Sequence, residues 1–344
     1  MEGSQAKLKM VLVTGGAGFL GSWCAIDLLR RGYAVRASVR DLSREQALRA
    51  AIAREVDAGD QLSVVAADLR EEACWERAVE GCDHVLHVAS PFPPTQPKDP
   101  DELIVPAREG TRRVLKASLD AGVERVVVTS SIAAITGGLK PGSLPLTEDD
   151  WSDPDNPKLT PYAMSKTLAE RAAWDFVRER GETEKLAVVN PGAILGPVLS
   201  ENRSSSLGIV ERLLRGIPGV PRIGFNIVDV RDVADLQFRA MSAPEAAGER
   251  FIAAESFKWM EEVAAVLRDH LGETAAAKVP RRTVPNLLVR TMALFDPSIR
   301  SIVGQLGKRA ETSSEKAKTL LGWSPRPSEE TILDCARSLI DSRG

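Results

Sequence analysis

The stretch Val11-Leu-Val-Thr-Gly-Gly-Ala-Gly-Phe-Leu-Gly21 joins a short apolar run, a glycine-rich turn and the start of an amphipathic segment. Gly16, Gly18 and Gly21 have the spacing G-x-G-x-x-G, and Gly15 gives G-x-x-G-x-x-G with the last two. Between a buried strand and a helix, such glycines let the backbone approach a pyrophosphate at the helix N-terminus. The stretch therefore predicts a dinucleotide-binding turn.

Short runs rich in Val, Leu and Ala alternate with longer amphipathic stretches over the first 190 residues. Continuous apolar character over five or six residues is typical of parallel strands that are buried on both faces. The expected strands are Lys9–Thr14, Ala34–Val39, Leu62–Ala66, His84–Val88, Arg125–Thr129 and Leu186–Asn190. The alternation predicts an α/β fold with a Rossmann-type, doubly wound parallel sheet.

The pattern changes after Asn190, where proline and glycine residues interrupt the chain. Helical patterns then mix with short strand-like pieces such as Arg250–Ala253. We expect a Rossmann domain that binds the dinucleotide over residues 8–190. A smaller, mainly C-terminal substrate-binding lobe is expected over residues 191–344, with segments near 226–254 returning to the sheet domain.

The composition is that of a globular protein, with 43% hydrophobic and 27% charged residues. A formal net charge of −3 does not favour broad binding to nucleic acid or to an anionic membrane. The four cysteines have no C-x-x-C pairing and no histidine at metal-ligand spacing, so neither disulfides nor a metal site is expected. The chain has no recognisable signal peptide and no run of eighteen apolar residues, which predicts a soluble, cytoplasmic protein.

The residues after the second expected strand bear on the choice of cofactor. An NAD-binding chain usually has Asp or Glu there to bind the ribose hydroxyls. This chain has Arg40, followed by Asp41 and then Arg44. Arg40 can bind a 2′-phosphate through charge-assisted hydrogen bonds, with Arg44 as a second cation, whereas Asp41 either binds the ribose or pairs with Arg44. The pattern favours NADPH over NADH.

A second motif, Tyr162-Ala-Met-Ser-Lys166, lies on a predicted helix. Tyr and Lys at positions i and i+4 share a helix face, and the ammonium group favours the phenolate. Tyr162 can then give a proton to a carbonyl oxygen as hydride arrives, or remove it in the reverse reaction. Ser130 and Ser131 follow the fifth expected strand, where a hydroxyl can polarise the same oxygen or cap the next segment. For Ser130 the capping role is favoured.

Three further polar residues allow a structural interpretation. His84 and His87 are three residues apart in a strand and would face opposite sides, so both are expected to be structural. Asn190 precedes Pro191 and either forms hydrogen bonds near the cofactor or closes a turn.

Together, these motifs resemble the extended short-chain dehydrogenases/reductases of the NAD-dependent epimerase/dehydratase superfamily. Within them, the chain is similar to the dihydroflavonol 4-reductase-like group and its microbial aldehyde/ketone reductases. The resemblance extends from Met10 to about Ala254 and is looser beyond. It depends on the glycine-rich turn, the segment around Arg40, and the motifs Asp68-Leu69, His87–Pro91, Ser130-Ser131, Tyr162–Lys166 and Pro191–Pro197.

The resemblance implies that Ser131, Tyr162 and Lys166 are catalytic. It also matches Asp68 and Leu69 to adenine contacts, 88–90 and 191–193 to strand ends beside the cofactor, and Ser206 to a hydroxyl near the phosphates. The full set of expected cofactor contacts is Gly15, Gly18, Phe19, Leu20, Gly21, Arg40, Arg44, Asp68, Leu69, Val88, Ala89, Ser90, Tyr162, Lys166, Pro191, Gly192, Ala193 and Ser206.

Two positions are expected at the substrate pocket, Phe92 and Thr136. The plant flavonoid reductases have an Asn-type residue where this chain has Thr136, and the neighbouring residues here are apolar. This favours a carbonyl compound that is smaller or more apolar than a polyhydroxylated flavonoid.

The implied function is NADPH-dependent reduction of aldehydes or ketones to alcohols, by a monomer or homodimer. Serine would polarise the carbonyl, tyrosine would act as acid or base, and lysine would tune the tyrosine and bind the ribose. A nucleotide-sugar epimerase or dehydratase is the first alternative, although dehydratases add an acidic pair where this chain has Ile132, Ala133 and Ala134. The second alternative is a non-catalytic, NADP-sensing regulator, whose relatives commonly lose the tyrosine.

Overall fold

The computed structural model describes residues 8–91, 99–137, 145–199, 204–296, 300 and 302–342. Its strands are β1 (Met10–Thr14), β2 (Ala34–Val39), β3 (Leu62–Ala66), β4 (His84–His87), β5 (Arg125–Thr129), β6 (Leu186–Pro191), β7 (Ala193–Leu195), β8 (Val220–Pro221), β9 (Gly224–Asp229), β10 (Arg250–Ala253), β11 (Ser256–Trp259) and β12 (Thr283–Val284). Its α-helices are α1 (Phe19–Arg30), α2 (Glu45–Ala53), α3 (Ala73–Val79), α4 (Asp101–Asp120), α5 (Ala133–Thr136), α6 (Pro161–Glu179), α7 (Leu207–Arg215), α8 (Val230–Ser242), α9 (Met260–His270), α10 (Glu273–Ala276), α11 (Asn286–Met292), α12 (Glu315–Leu321) and α13 (Ser328–Asp341).

The main sheet has seven strands in the order β10-β6-β5-β4-β1-β2-β3, and the pairs are parallel. Strands β2, β3 and β5 have the bounds expected from the sequence, and the other three differ by one residue at one end. Because the chain moves outward from β1 in both directions, helices cover both faces. This confirms the predicted Rossmann-type, doubly wound sheet.

Alternating side chains of the strands enter two separate cores. Val11 and Val13 pack with residues of α1, α2 and α8, whereas Leu12 packs with residues of α3, α4 and α6. Successive side chains of a strand point to opposite faces, so a strand with helices on both faces must be apolar throughout. That is why continuous apolar runs located these strands in the sequence.

Smaller sheets lie beside the main one. Strands β11, β9 and β7 form a three-stranded sheet, and β12 pairs with β8. Strand β10 instead pairs with β6 and forms an edge of the main sheet, with Arg250 opposite Val188 and Ile252 opposite Asn190. The division into two domains at residue 190 stays a prediction.

Over the residues that the structure describes, none of the helices combines the length and apolar character needed to cross a bilayer. Within the same ranges, no group of three or more His, Cys, Asp or Glu side chains is placed to hold a metal ion. The four cysteines are free and buried.

Candidate active site

The glycine-rich turn links β1 to α1 at the carboxyl edge of the sheet. The Gly18 amide donates to the Gly15 carbonyl over 2.9 Å, and the Gly16 amide donates to the Ser38 carbonyl over 2.9 Å. Gly15 has a φ of +67°, which favours glycine. Helix α1 then begins at Phe19 with no side-chain cap and no acidic residue in its first turn. Its N-terminal amides are therefore suited to binding an anion.

Internal packing requires glycine at some positions of this turn and leaves room at another. A Cβ at Gly16 would lie 2.7 Å from the Cβ of Ala37, and one at Gly21 would collide with the Gly15 carbonyl oxygen. A Cβ at Gly18 would approach only that carbonyl oxygen, at 3.1 Å. Gly18 thus faces open space at the helix N-terminus, which fits close approach of a pyrophosphate.

Charged residues gather at the ends of β2 and β3. Arg40 and Arg44 are exposed, and Asp41 caps its own 3₁₀ turn by accepting a hydrogen bond of 2.8 Å from the Ser43 amide. Asp68 accepts three hydrogen bonds from the Arg70 guanidinium, at 2.7, 3.1 and 3.3 Å. The hydrogen bonds from Arg70 hold the pKa of Asp68 below its ordinary value, and the charge of Arg40 makes a smaller contribution in the same direction. Arg40 and Asp68 therefore face the same region.

Leu69 packs against helix α4, where a Cβ added at Gly110 would lie 2.8 Å from the Leu69 Cβ. The end of β4 lies beside the glycine-rich turn, because a Cβ at Gly15 would lie 3.0 Å from the Cα of Ala89. Val88, Ala89 and Ser90 are partly exposed there. These positions suit the cofactor contacts that the resemblance implies, and the contacts themselves stay predictions.

His87 ties β4 to β1. Its Nδ1 lies 2.9 Å from the Thr14 hydroxyl, which also accepts a hydrogen bond of 2.9 Å from the Ala89 amide. Burial, with a smaller contribution from the nearby Lys166 charge, lowers the pKa of His87 to about 3. The imidazole is therefore neutral at ordinary pH, in keeping with the expected structural role.

Helix α6 carries Tyr162 and Lys166 to the end of β5. The helix begins at Pro161 because Thr160 caps it, its hydroxyl accepting a hydrogen bond of 3.2 Å from the Ala163 amide. The Tyr162 hydroxyl is hydrogen-bonded to Ser131. The Lys166 ammonium lies one turn further and donates to the Thr129 carbonyl over 3.4 Å. The structure thus brings the three expected catalytic residues together.

Burial decides the protonation of this cluster. It raises the pKa of the Tyr162 phenol, which the hydrogen bond with Ser131 opposes. It also lowers the pKa of Lys166 to about 8, against the pull of the Glu170 carboxylate. Tyr162 therefore keeps its proton at neutral pH, in contrast to the phenolate expected from the lysine alone, because desolvation disfavours the anion. A protonated phenol is the state that a proton donor requires.

The two serines after β5 differ in their contacts. The Ser131 hydroxyl accepts a hydrogen bond of 3.1 Å from the Ala133 amide, and the Ser131 carbonyl accepts one of 3.2 Å from the Asn190 amide group. The buried Ser130 hydroxyl has no hydrogen-bond partner among the described residues. The capping role favoured for Ser130 is therefore absent, and Ser131 accepts the local bond instead.

Other expected site residues lie around this cluster. Strand β6 ends at Pro191, and a Cβ at Gly192 would collide with the Asn226 carbonyl oxygen, so the chain passes close to β9 before Ala193. Ser206 immediately precedes α7, and Thr136 is the last, partly exposed residue of α5. Their ligand contacts stay predictions, and Phe92 lies outside the described residues.

Sequence reasoning missed two buried charges beside the cluster, Glu170 and Arg250. Glu170 lies one turn after Lys166 on α6, and its carboxylate is 2.6 Å from the guanidinium of Arg250. The i, i+4 spacing from Lys166 is a signal for Glu170, whereas nothing local in the sequence indicates its partner 80 residues away.

Comparison with known proteins identifies relatives over the whole chain. The model of the NAD dependent epimerase/dehydratase family matches residues 11–254. The chain is 36% identical over 340 residues to cinnamoyl-CoA reductase CAD2 of Medicago truncatula, covering 97% of this chain and 96% of the relative. It is 34% identical over 275 residues to dihydroflavonol 4-reductase of Zea mays, covering 76% and 74%. Yeast methylglyoxal/isovaleraldehyde reductase Gre2 complexed with NADPH superposes with a TM-score of 0.80 at 26% identity, over 97% of this chain and 99% of that one.

Proposed function

Since this chain belongs to the NAD-dependent epimerase/dehydratase family, as an extended short-chain dehydrogenase/reductase of the dihydroflavonol 4-reductase-like group, we propose that it reduces aldehydes or ketones to alcohols. It is an oxidoreductase that uses NADP(H). The observation that carries the carbonyl-reductase proposal is the protonated Tyr162 phenol, hydrogen-bonded to Ser131 and one helical turn from Lys166.

The described residues fit NADP(H) at both ends. The uncapped N-terminus of α1 and the open side of Gly18 suit the pyrophosphate. The exposed Arg40 suits a 2′-phosphate, and Lys166 suits the nicotinamide ribose. When bound, NADPH supplies the hydride that reduces the carbonyl carbon.

The protein's own residues act on the carbonyl oxygen. The Ser131 and Tyr162 hydroxyls donate hydrogen bonds to this oxygen, which gains negative charge as the carbon is reduced. Tyr162 then transfers its phenolic proton to the oxygen, and the alcohol forms. The Lys166 ammonium stabilises the tyrosinate that remains, until a proton from solvent restores the phenol.

Several features favour this reaction over the dehydratase alternative. Ile132, Ala133 and Ala134 follow the catalytic serine and supply no carboxylate for abstraction or leaving-group protonation. Ala134 and Ile135 are buried, so the segment that follows the catalytic serine packs into an apolar part of the protein. Together with Thr136, this supports a small or apolar carbonyl substrate. The relatives, which include reductases of cinnamoyl-CoA and of methylglyoxal and isovaleraldehyde, also support a carbonyl substrate.

The experiment is a turnover assay that follows NADPH absorbance with aliphatic aldehydes, aromatic aldehydes and ketones, and with nucleotide sugars as the competing class. We expect NADPH consumption with aldehydes or ketones and an equal amount of alcohol. Conversion of a nucleotide sugar without net NADPH consumption would instead establish the epimerase or dehydratase alternative. We further propose a cytoplasmic monomer or homodimer, which light scattering and cell fractionation test.

A further inference from the structure

We propose that Glu170 and Arg250 form a buried pair that positions Ser131 and Lys166, a role that rests on the proposed reductase function. Glu170 lies on α6, the helix that carries Tyr162 and Lys166, and Arg250 is the first residue of the edge strand β10. Neither side chain belongs to the set that acts on the carbonyl oxygen. Their influence passes through the residues that they hold.

The Glu170 carboxylate is enclosed and uses both oxygens. It is 1% exposed, and its Oε1 accepts a hydrogen bond of 2.6 Å from the Arg250 Nε. Its Oε2 accepts one of 2.8 Å from the Nδ2 of Asn190, a fully buried residue of β6. The carboxylate therefore joins α6 to two adjacent strands of the main sheet.

Asn190 extends this connection to the catalytic serine. The same Nδ2 that donates to Glu170 also donates to the Ser131 carbonyl over 3.2 Å. The backbone of Ser131 is thereby fixed relative to α6, and its hydroxyl meets Tyr162 from that position. Preorganised sites keep their geometry because surrounding hydrogen bonds hold each catalytic residue in position.

Arg250 is held in place independently of Glu170. Its Nη1 donates to the carbonyl oxygens of Glu148 and Asp150, at 2.5 and 3.2 Å, and its guanidinium stacks 3.7 Å from the ring centroid of Trp151. We expect a planar cation that is held by two carbonyls and an aromatic ring to stay in place when its partner changes. Replacing Glu170 therefore leaves the Arg250 guanidinium without the carboxylate that neutralises it.

The groups that face Lys166 make Glu170 the anion that acts on it. Helix α6 carries Tyr162 one turn before Lys166 and Glu170 one turn after it. Strand β4 presents the neutral imidazole of His87, and β5 presents carbonyl and hydroxyl groups. Helix α4 contributes only Ala107 and Thr111 to the small cavity that these residues share. Arg250 contacts Glu170, and its charge also acts on the carboxyl of Glu148, whose pKa burial raises. Each member of the pair should therefore shift the pKa of Lys166 in a different direction.

The test compares Glu170→Gln with Arg250→Met in the pH profile of carbonyl reduction. In the wild type we expect the rate to fall above about pH 8, because Lys166 loses its charge there. Glu170→Gln should move this limb to lower pH by about one unit or more, since the carboxylate is lost and the guanidinium remains. Arg250→Met should move it to higher pH, since the carboxylate is no longer neutralised. The proposal would be overturned if the fall in rate stayed at the wild-type pH in both variants, or moved in the same direction in both.

A substrate-free measurement separates this proposal from the proposed function. In protein labelled with ¹³C-lysine, the side-chain signal of Lys166 is assigned by its loss in Lys166→Met. The midpoint of its titration, near pH 8 in the wild type, should move to lower pH in Glu170→Gln and to higher pH in Arg250→Met. Wild-type protein that reduces no carbonyl compound would contradict the proposed function, while this titration would still decide for or against the pair.

Asp232→Asn supplies the matched control. Asp232 is also a buried carboxylate paired with an arginine, Arg326, but it makes no contact with the catalytic cluster in the described residues. We expect this variant to lower thermal stability while leaving the pH limb unchanged. In Arg250→Lys, which keeps the charge, the fall in rate should lie closer to the wild-type pH than it does in Arg250→Met. If Asp232→Asn moves the limb as far as Glu170→Gln does, the effect is general loss of structure and the proposal fails.

Discussion

The two ends of the expected cofactor site are built in opposite ways. At the catalytic end, Ser131 and Lys166 are buried and Tyr162 is hydrogen-bonded to Ser131, so the protein's own contacts fix their geometry. At the adenosine end, Arg40 and Arg44 are exposed. Proton transfer requires fixed distances and a desolvated setting, whereas a long cation can be ordered by the phosphate that it binds. The difference shows which end tolerates substitution.

The glycine-rich turn lies between these extremes, because its shape is fixed while its ligand-facing side is open. Gly16 and Gly21 are enclosed by the protein's own atoms, and Gly18 approaches just one of them. The turn thus has the rigidity of the catalytic end and the accessibility of the adenosine end.

Gly18→Val should abolish NADPH binding, and with it turnover, while the sheet stays folded. The added side chain enters the space that the pyrophosphate requires, and its main internal conflict is one contact with the Gly15 carbonyl. Calorimetric titration with NADPH measures the affinity, and circular dichroism checks the fold. Gly304→Val is the control, because a Cβ at Gly304 meets nothing within 4 Å. Unchanged NADPH affinity in folded Gly18→Val would remove the turn from the cofactor site.

Tyr162→Phe should lower the turnover number by about 10²–10⁴-fold, the usual contribution of a positioned acid or base. The ring still packs, so folding and NADPH affinity should persist. Adding Ser131→Ala should cost much less in this variant than in the wild type, because residues that act as a unit are not additive. Tyr33→Phe, at the other tyrosine of the chain, is the control and should be silent. Near-native turnover in Tyr162→Phe would refute the proton-donor assignment.

Arg40→Asp should weaken NADPH binding by about 10- to 150-fold, the effect of losing a charge-assisted contact of about 1.5–3 kcal/mol. The Michaelis constant for NADH should change far less, because NADH lacks the 2′-phosphate. Steady-state kinetics with both cofactors measures the ratio. Equal losses for the two cofactors would exclude Arg40 from the phosphate site.

Arg44→Ala should have the smallest effect, a loss of NADPH affinity of less than about fivefold that disappears at high salt. An exposed second cation acts through solvent and is screened there. Titrations at low and high ionic strength measure it. A loss as large as that of Arg40→Asp would show that both arginines bind the phosphate directly. The adenosine end would then be more ordered than the exposure of its arginines indicates.

Local sequence sufficed for six strands of the main sheet and for the shared helix face of Tyr162 and Lys166, for a physical reason. Strands buried on both faces must be apolar throughout, and β2, β3 and β5 have the bounds that this rule predicts. The spacing of Tyr162 and Lys166 translates directly into a shared helix face. Both inferences depend on residues close together in the chain.

The protonation of the cluster and its buried partners could not be predicted in this way. The direction of the Tyr162 pKa depends on desolvation, which the sequence does not encode locally. The role of Asn190 stayed open because its partners, Ser131 and Glu170, come from different elements. Arg250 looks like an ordinary strand residue until the pairing of β10 with β6 places it against α6. Long-range pairing decides these features.

That pairing also sets when the main sheet becomes complete during synthesis. Strand β10 lies some 60 residues after β6 in the chain, so β6 has an unpaired edge until residue 253 has emerged from the ribosome. An open edge of buried, apolar residues can pair with other chains. Because long-range strand pairing is slow, a nascent chain that ends before Arg250 would carry both an aggregation-prone edge and an uncompensated Glu170. The strand that completes the catalytic surroundings is therefore also the one that ends this vulnerable interval.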